Sequence, residues 1–486
     1  MPSISRGRKD RWRVLRFPPP PRLSPRRHYL CGATPRARND TARARDRIGR
    51  AVGAPLFPHA AIATPHYLAS SAGLAQLTSG GNAVDAAVAA NLVLAVVYPQ
   101  MCGLGGDLFA MIWSDGELSG LNSSGRLPAG AHLNGETVPR TGVGSAVAPG
   151  AVAGWLALLE RYGTRSIEEL AQPAIRLARE GCPRAPGLQR ITKAAAPLLQ
   201  RDEEAARIFL AEGPLRQQDL AQTLERIEEF YTGPVAENAP PPFTPADFAE
   251  HRAEWVEPEQ TRFTGLEICE MPPNSRGHLA LRAIEKLEPL DGLTPDDAEF
   301  HLRMIRALDA VTGGAGVAGD TIYLCVRDEN GLAVSLNQSL YQAFGSGVVV
   351  PGTGVLLNNR AAYFKPDEYA PKTRPTHTLA PAMALQDGRP RFVFGTMGGD
   401  TQIEIHLQLL ARVFVTGQVL GEAIGAPRWM HRGGRLMAEP GLPEIGAEPL
   451  SADFPELAGH AHAILLGDAH LAAAFDPRSD GAALGY

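Results

Sequence analysis

The chain has 486 residues, of which 44% are hydrophobic and 20% charged. That is the composition of a soluble globular protein, and it excludes a fibrous or wholly disordered chain while leaving room for several domains or one large layered one. The net charge of −5 conceals an asymmetry: residues 1–50 carry 14 Arg and one Lys against three Asp, and the remainder has 32 basic and 49 acidic residues, so the acidic body excludes an obvious nucleic-acid footing.

The basic stretch contains four consecutive prolines at 18–21 and no helical or strand period. It reads as a disordered extension over residues 1–55, with order beginning near Ala60. No apolar run follows it to make a secretory signal, and the most apolar segment, 86–98, is too short to span a bilayer. The expectation is a cytoplasmic protein without membrane or nucleic-acid partners. Five widely spaced cysteines, Cys31, Cys102, Cys182, Cys269 and Cys325, show neither metal-ligand spacing nor a disulfide framework, and nothing calls for a metal or cofactor.

The spacing predicts a helix over 66–77 and, after Ser79-Gly80-Gly81, a second one capped by Asn82 and running to about Val97. The second is apolar nearly all round and so should be buried. Met101-Cys-Gly-Leu-Gly-Gly-Asp107 is a glycine-rich turn, followed by strands at 108–113 and 118–122 joined by Asp115-Gly116, a hairpin signal. Residues 150–310 read as mostly helical, with helices at 155–161, 167–179, 220–230 and 298–308. Strands return at 321–327 and 332–337 around the turn Asp328-Glu-Asn-Gly331. Further apolar strands are expected at 355–357, 382–385 and 391–394, and Gly398-Gly399 opens a helix over 401–415. Strands and helices in separate blocks predict a layered α+β core.

Thr321 follows Gly313-Gly-Ala-Gly-Val-Ala-Gly-Asp320, a run that could be cut, and opens a strand. A threonine hydroxyl is a poor nucleophile unless a base takes its proton. Cleavage just before it would free an α-amine titrating at about 7.7–8.0, which can act as that base near neutral pH.

Three segments of the C-terminal part, Gly319-Asp-Thr-Ile-Tyr-Leu-Cys-Val-Arg-Asp-Glu-Asn-Gly331, Gly345-Ser-Gly-Val-Val-Val-Pro-Gly-Thr-Gly-Val-Leu-Leu-Asn-Asn359 and Asp476-Pro-Arg-Ser-Asp480, resemble the small subunit of γ-glutamyltransferases. Gly80-Gly-Asn-Ala-Val-Asp-Ala-Ala-Val-Ala-Ala-Asn91 and Cys102-Gly-Leu-Gly-Gly106 resemble the large subunit. The resemblance implies a four-layer α/β/β/α N-terminal-nucleophile sandwich, made as one precursor. It implies a cut between Asp320 and Thr321, giving a large-subunit segment 56–320 and a small-subunit segment 321–486. The partners it implies are a small amide substrate, water or an amine acceptor, and the two fragments themselves. Thr321 would carry the acyl group as an ester, Ser339 would be the hydroxyl beside it, and the backbone N–H groups of Gly398 and Gly399 would form the oxyanion hole. Asn359 and Gly352 fit structural roles better.

The substrate pocket departs from the γ-glutamyl pattern. Ser124 stands where the family has an arginine, with Arg126 two residues on. Arg360 and Tyr363 replace groups that hold an α-ammonium, Tyr341 replaces an asparagine, and His377-Thr378 replaces a serine pair. Arg360 would repel an ammonium and attract a carboxylate. These changes resemble a bacterial subgroup of the family that includes oxamate amidohydrolase. The expectation is therefore hydrolysis or transfer of small acidic amides; the alternatives are true γ-glutamyl transfer or glutathione hydrolysis, and a non-catalytic member with a binding role. Removing residues 1–50, which precede every motif, is expected to leave processing and turnover unchanged on a denaturing gel and in a rate assay. Loss of either would make the arm part of the working fold.

Overall fold

A computed structural model describes residues 54–486 apart from 134, 136, 315, 317, 318 and 452–454. The basic arm to residue 53, Cys31 and three positions of the glycine-rich run ahead of Thr321 lie outside the described residues. Regular structure begins before Ala60, because β1 (Leu56–Phe57) already pairs with a C-terminal strand. β2 (Ala61–Thr64) leads into the helix Tyr67–Thr78, whose N-cap His66 accepts from the Leu68 N–H through its side chain. The helix Ala83–Val97 has the expected bounds. Asn82 and Asp85 close its first turn as a capping box, and all 15 of its residues are buried. Its small side chains let it lie flat between a sheet and the surrounding helices. Asn91, polar in this apolar run, is answered by the Trp155 indole N–H at 2.7 Å.

β3 (Asp107–Ser114) and β4 (Glu117–Ser123) form the expected hairpin. The long helical stretch expected over 150–310 is interrupted. The helices Ala151–Tyr162 and Ile167–Glu180 are present, the one expected at 220–230 breaks into Gln218–Glu225 and a 3-10 turn, and β5 (Glu254–Val256), β6 (Glu259–Phe263) and β7 (Leu266–Glu270) lie within it. Period-2 alternation explains β7: Leu266 and Ile268 join one core, whereas Cys269 and Met271 face another. Strands and helices are thus interleaved and not blocked.

β8 (Asp320–Arg327) and β9 (Ala333–Tyr341) follow, then the short ribbon of β10 (Val349–Val350) and β11 (Val355–Leu356). β12 (Ala382–Gln386) and β13 (Arg389–Thr396) lead to the helix Gln402–Leu410, which continues as a π-helical turn over Ala411–Val415. β14 (Trp429–Arg432), β15 (Arg435–Ala438) and β16 (Glu448–Pro449) make a small side sheet. β17 (Ala461–Leu466), β18 (Leu471–Ala474) and β19 (Ala482–Gly485) complete the strands.

Two seven-stranded sheets carry the architecture, ordered β19-β2-β8-β9-β3-β4-β5 and β1-β18-β17-β13-β12-β7-β6. Alternate residues of each central strand serve different cores. In β8, Ile322, Leu324 and Val326 pack with the helices around Ala83–Val97, while Tyr323 and Cys325 face Met383, Val393 and Ile464 of the other sheet. Phe392 and Phe394 on the far face of β13 meet the helices Gly277–Glu285 and Ala298–Thr312. The layers are therefore α/β/β/α. The four described cysteines are free and buried. Among the described residues, no helix is long and apolar enough to cross a membrane.

Asp476 of the motif Asp476-Pro-Arg-Ser-Asp480 is a structural staple. Its carboxylate lies 2.6 Å from buried Arg428 and 3.1 Å from Arg478, and accepts from the Ala461 N–H. The two guanidiniums hold it far below the usual carboxylate range against the opposing effect of burial. Asp476→Asn, which strands Arg428, should destabilise the protein by about 3–5 kcal/mol, read as a clear fall in thermal midpoint. Arg435→Gln, which breaks the exposed pair with Glu448, should move the midpoint little.

Candidate active site

The register of three strands brings the central polar residues together. Asp107 lies directly opposite Ser339 across β3 and β9. Across β8 and β9, Asp320 opposes Tyr341 and Ile322 opposes Gln338, so a register shift falls at Thr321. Side chains alternate along a strand, and Asp107 and Ser339 share the parity that faces the second sheet. Thr321, Ser339 and Asp107 are all at most 3% exposed.

The Thr321 hydroxyl donates to Ser339 Oγ at 3.2 Å, and the Ser339 hydroxyl donates to the Asp320 carbonyl oxygen at 2.5 Å. That carbonyl belongs to the peptide bond between Asp320 and Thr321. Ser339 Oγ also accepts from the Tyr341 N–H at 2.7 Å, which fixes the hydroxyl rotor towards the carbonyl. Burial lifts the Asp320 carboxyl to about 6 against the opposing pull of Arg432.

Gly398 and Gly399 adopt φ of 143° and 65°, which side chains other than glycine rarely tolerate. They lie at the turn into the helix Gln402–Leu410, and Gly399 Cα sits 3.1 Å from where a Cβ on Gly319 would be. The pair thus stands against the chain two residues ahead of Thr321. The glycines of the 102–106 turn are needed for close approach. A Cβ on Gly106 would fall 2.3 Å from the Ser339 carbonyl oxygen, and one on Gly105 2.1 Å from that of Leu356. Asn359 is engaged with backbone, accepting from the Gln342 N–H and donating to the Arg140 carbonyl.

Arg360 is 1% exposed, and its guanidinium carbon lies 3.9 Å from the Tyr341 ring centroid and 4.3 Å from that of Tyr363. Nη1 donates to Thr378 Oγ1 at 3.2 Å, while Nε and Nη2 have no acceptor among the described residues. Unused buried guanidinium donors are costly. Tyr341 itself holds a φ of 81°, a strained conformation for a residue with a side chain. The Tyr363 hydroxyl donates to Asp400 Oδ1 at 2.9 Å, and burial together with Asp400 pushes that phenol up to about 12.

The remaining expected residues divide. His377 Nε2 lies 3.0 Å from Asp107 Oδ2, and its Nδ1 accepts from the Leu379 N–H. Burial, reinforced by Arg360, drives its pKa to about 4, so it is neutral near pH 7. Ser124 is buried in a network with Asn122 and Asn274. The Arg126 side chain is 52% exposed, 3.7 Å from Glu254, on the wall of a cavity of about 480 Å³ with Lys372 and Arg374. Four residues of the site were missed from sequence: Asp107, Arg276, Asp400 and Arg432. Asp107 closes the glycine-rich turn and Asp400 follows Gly398-Gly399, so adjacency to those motifs was an available signal; Arg276 and Arg432 carried none.

A family model described as gamma-glutamyltranspeptidase matches residues 69–316 and 310–486. The glutathione hydrolase-like YwrD proenzyme of Bacillus subtilis is 32% identical over 87% of this chain and 98% of that protein. The oxamate amidohydrolase proenzyme of Klebsiella pneumoniae is also 32% identical, over 88% of this chain and 98% of its own length. Among solved structures, the cephalosporin acylase from Bacillus halodurans superposes with a TM-score of 0.82 at 29% identity, covering 93% of this chain and 98% of its own.

Proposed function

This chain belongs to the γ-glutamyltranspeptidase family of self-processing amidohydrolases and acyltransferases, and we propose that it cuts itself between Asp320 and Thr321 and then uses Thr321 to hydrolyse small acidic amides. The observation that carries the first part is the hydrogen-bonded chain from the Thr321 hydroxyl through Ser339 to the Asp320 carbonyl. Ser339 polarises that carbonyl while holding the attacking hydroxyl beside it. Attack by Thr321 Oγ on the Asp320 carbonyl carbon, followed by rupture of the C–N bond, moves the acyl group onto oxygen and frees the Thr321 α-amine. Water then hydrolyses the ester. The products are a 320-residue and a 166-residue fragment, roughly 34 and 18 kDa of the 51.8 kDa chain, which remain together as large and small subunits.

In the processed enzyme the α-amine takes the proton of its own hydroxyl as Thr321 attacks the substrate carbonyl. The backbone N–H groups of Gly398 and Gly399 receive the developing oxyanion, aided by the positive end of the following helix. The ammonium returns its proton to the departing amine. Water, or an amine acceptor, then takes the acyl group from Thr321.

Arg360 supports the choice of substrate. A cation about 4 Å from a substrate ammonium costs on the order of 4 kcal/mol at an effective dielectric near 20. A carboxylate would instead satisfy Nε and Nη2, and charged hydrogen bonds contribute about 1.5–3 kcal/mol each. The resemblance to an oxamate amidohydrolase agrees with this reading. Tyr341, Tyr363 and Thr378 would fix the guanidinium, and Ser124 and His377 would build the wall behind it. The free, buried cysteines support a reducing compartment, the cytoplasm.

Thr321→Ala should migrate as a single uncut band, and Edman sequencing of the wild-type small fragment should begin at Thr321; another N-terminus would move the nucleophile elsewhere. Processed wild type should show a higher kcat/KM for oxamate than for a γ-glutamyl anilide. Arg360→Gln should shrink that ratio by roughly ten- to a hundredfold. A wild type that prefers the γ-glutamyl amide, with the ratio unmoved by Arg360→Gln, would show glutathione-type chemistry instead.

A further inference from the structure

The peptide bond between Asp320 and Thr321 is held on its C-terminal side by the β8–β9 ladder. On the other side the chain leans on the turn between β14 and β15. Among the described residues of 313–319, Gly316 accepts from the Gly433 N–H at 2.9 Å. It lies so close to β14 that a Cβ there would collide with the His431 carbonyl. A Cβ on Gly314 would stand 3.4 Å from Asp309 Oδ1 and 3.9 Å from the His431 ring. Arg432, the next residue of β14, is within electrostatic reach of the Asp320 carboxyl.

His431 joins that turn to two helices. Its Nδ1 lies 2.9 Å from Glu404 Oε1, and its backbone N–H donates to Glu404 Oε2 at 2.9 Å. Glu404 belongs to the helix Gln402–Leu410, which follows Gly398 and Gly399. Nε2 lies 3.2 Å from Asp309 Oδ1, on the helix Ala298–Thr312 that runs into the glycine-rich segment. With a carboxylate at each ring nitrogen, both nitrogens must donate, which only the imidazolium can do. The Glu404 hydrogen bond and the charge of both acids raise the pKa of the ring, against the opposing effect of burial. Burial raises the Glu404 carboxyl and nearby Asp400 adds to this, while the His431 ring and N–H pull it down. Arg435 on β15 is exposed and paired with Glu448.

We propose that His431 is a positioning residue for self-cleavage: bonded to Asp309 and Glu404, it fixes the β14–β15 turn on which the chain ahead of Thr321 rests, and so keeps the Asp320 carbonyl in reach of Ser339. The inference rests on the cut lying between Asp320 and Thr321. His431 acts through the chain it supports, since a peptide held from one side only would swing away from the Thr321 hydroxyl. The two-armed grip is complete while the ring is protonated and is lost as pH rises through its raised pKa. The Asp320 carboxyl, lifted by burial to about 6, titrates on the acid side of that step. The α-amine of Thr321 does not exist before the cut. Neither group therefore supplies an alkaline limb to the cleavage rate.

The test makes the full-length precursor by cell-free translation, dilutes it into buffers between about pH 6 and 10, and follows cleavage on a denaturing gel. The wild-type rate should fall on the alkaline side. Asp309→Asn, at a side chain 44% exposed, should move that fall to lower pH by roughly one unit, because one of the two carboxylates is gone. Asp309→Glu should restore the wild-type profile in large part. His431→Gln should cleave about ten- to a hundredfold more slowly near pH 7 and show no such fall. A wild-type rate without an alkaline fall, or a fall that Asp309→Asn leaves in place, overturns the inference. A merely structural His431 would lower the thermal midpoint and leave the fall where it was. The two Asp309 variants decide the matter even if His431→Gln does not fold. A small fragment that begins at a residue other than Thr321 overturns the reading of the cut; one that begins at Thr321, with a pH profile unmoved by Asp309→Asn, overturns the role of His431 alone.

Discussion

A strand buried on both faces offers no solvent side on which a polar residue can stand, and the candidate centre is built under that constraint. β8, β9 and β3 each send alternate side chains into a helix-facing core and an inter-sheet core. Any polar group on them must find its partner in the protein. Asp107, Ser339 and Thr321 lie on the inter-sheet side where three strand ends meet; Thr321 and Ser339 bond each other and the neighbouring backbone, and Asp107 is answered by His377 and the Gly125 N–H. The register shift at Thr321 turns the chain enough for the Asp320 carbonyl to reach Ser339. A flat ladder would have spent that carbonyl on an ordinary strand hydrogen bond.

The cluster around Arg360 poses the opposite problem, a buried charge with too few partners among the described residues. Two tyrosine rings cover the faces of the Arg360 guanidinium, and Thr378 takes one of its N–H groups. Aromatic faces contribute about 1–2 kcal/mol to a desolvated cation, well short of replacing its hydration. Asp107 is tied to a histidine that burial keeps neutral, and Asp400 to Arg276.

In the continuous chain these two halves touch. Gly319 lies against both the Tyr341 ring and Gly399, and Gly316 accepts from the Gly433 N–H next to β14. Gly319 therefore fills space beside Tyr341 and beside the proposed oxyanion hole. On the proposed reading, one cut both creates the amine that activates Thr321 and releases the chain that crowds its substrate site.

The sequence by itself determined the family, the helix Ala83–Val97 with its cap, the β3–β4 hairpin and, to within one residue of its start, the strand that carries Thr321. Each of these is written locally, in a cap residue, a turn dipeptide or a run of glycines. It also marked Arg360 as a cation out of place, since a charge change at a matched position needs no coordinates to be noticed. The strands at 254–270 were lost in a stretch that reads as helical, because short strands with charged outer faces carry little periodic signal. Only the tertiary structure decided that Arg126 lines a cavity with Lys372 and Arg374, that His377 belongs to Asp107, and that Arg276 and Asp400 stand behind Tyr363. Those partners come from segments up to 270 residues apart. Their meeting is fixed by strand register and layer packing, which depend on the whole chain and leave no mark beside the residues themselves.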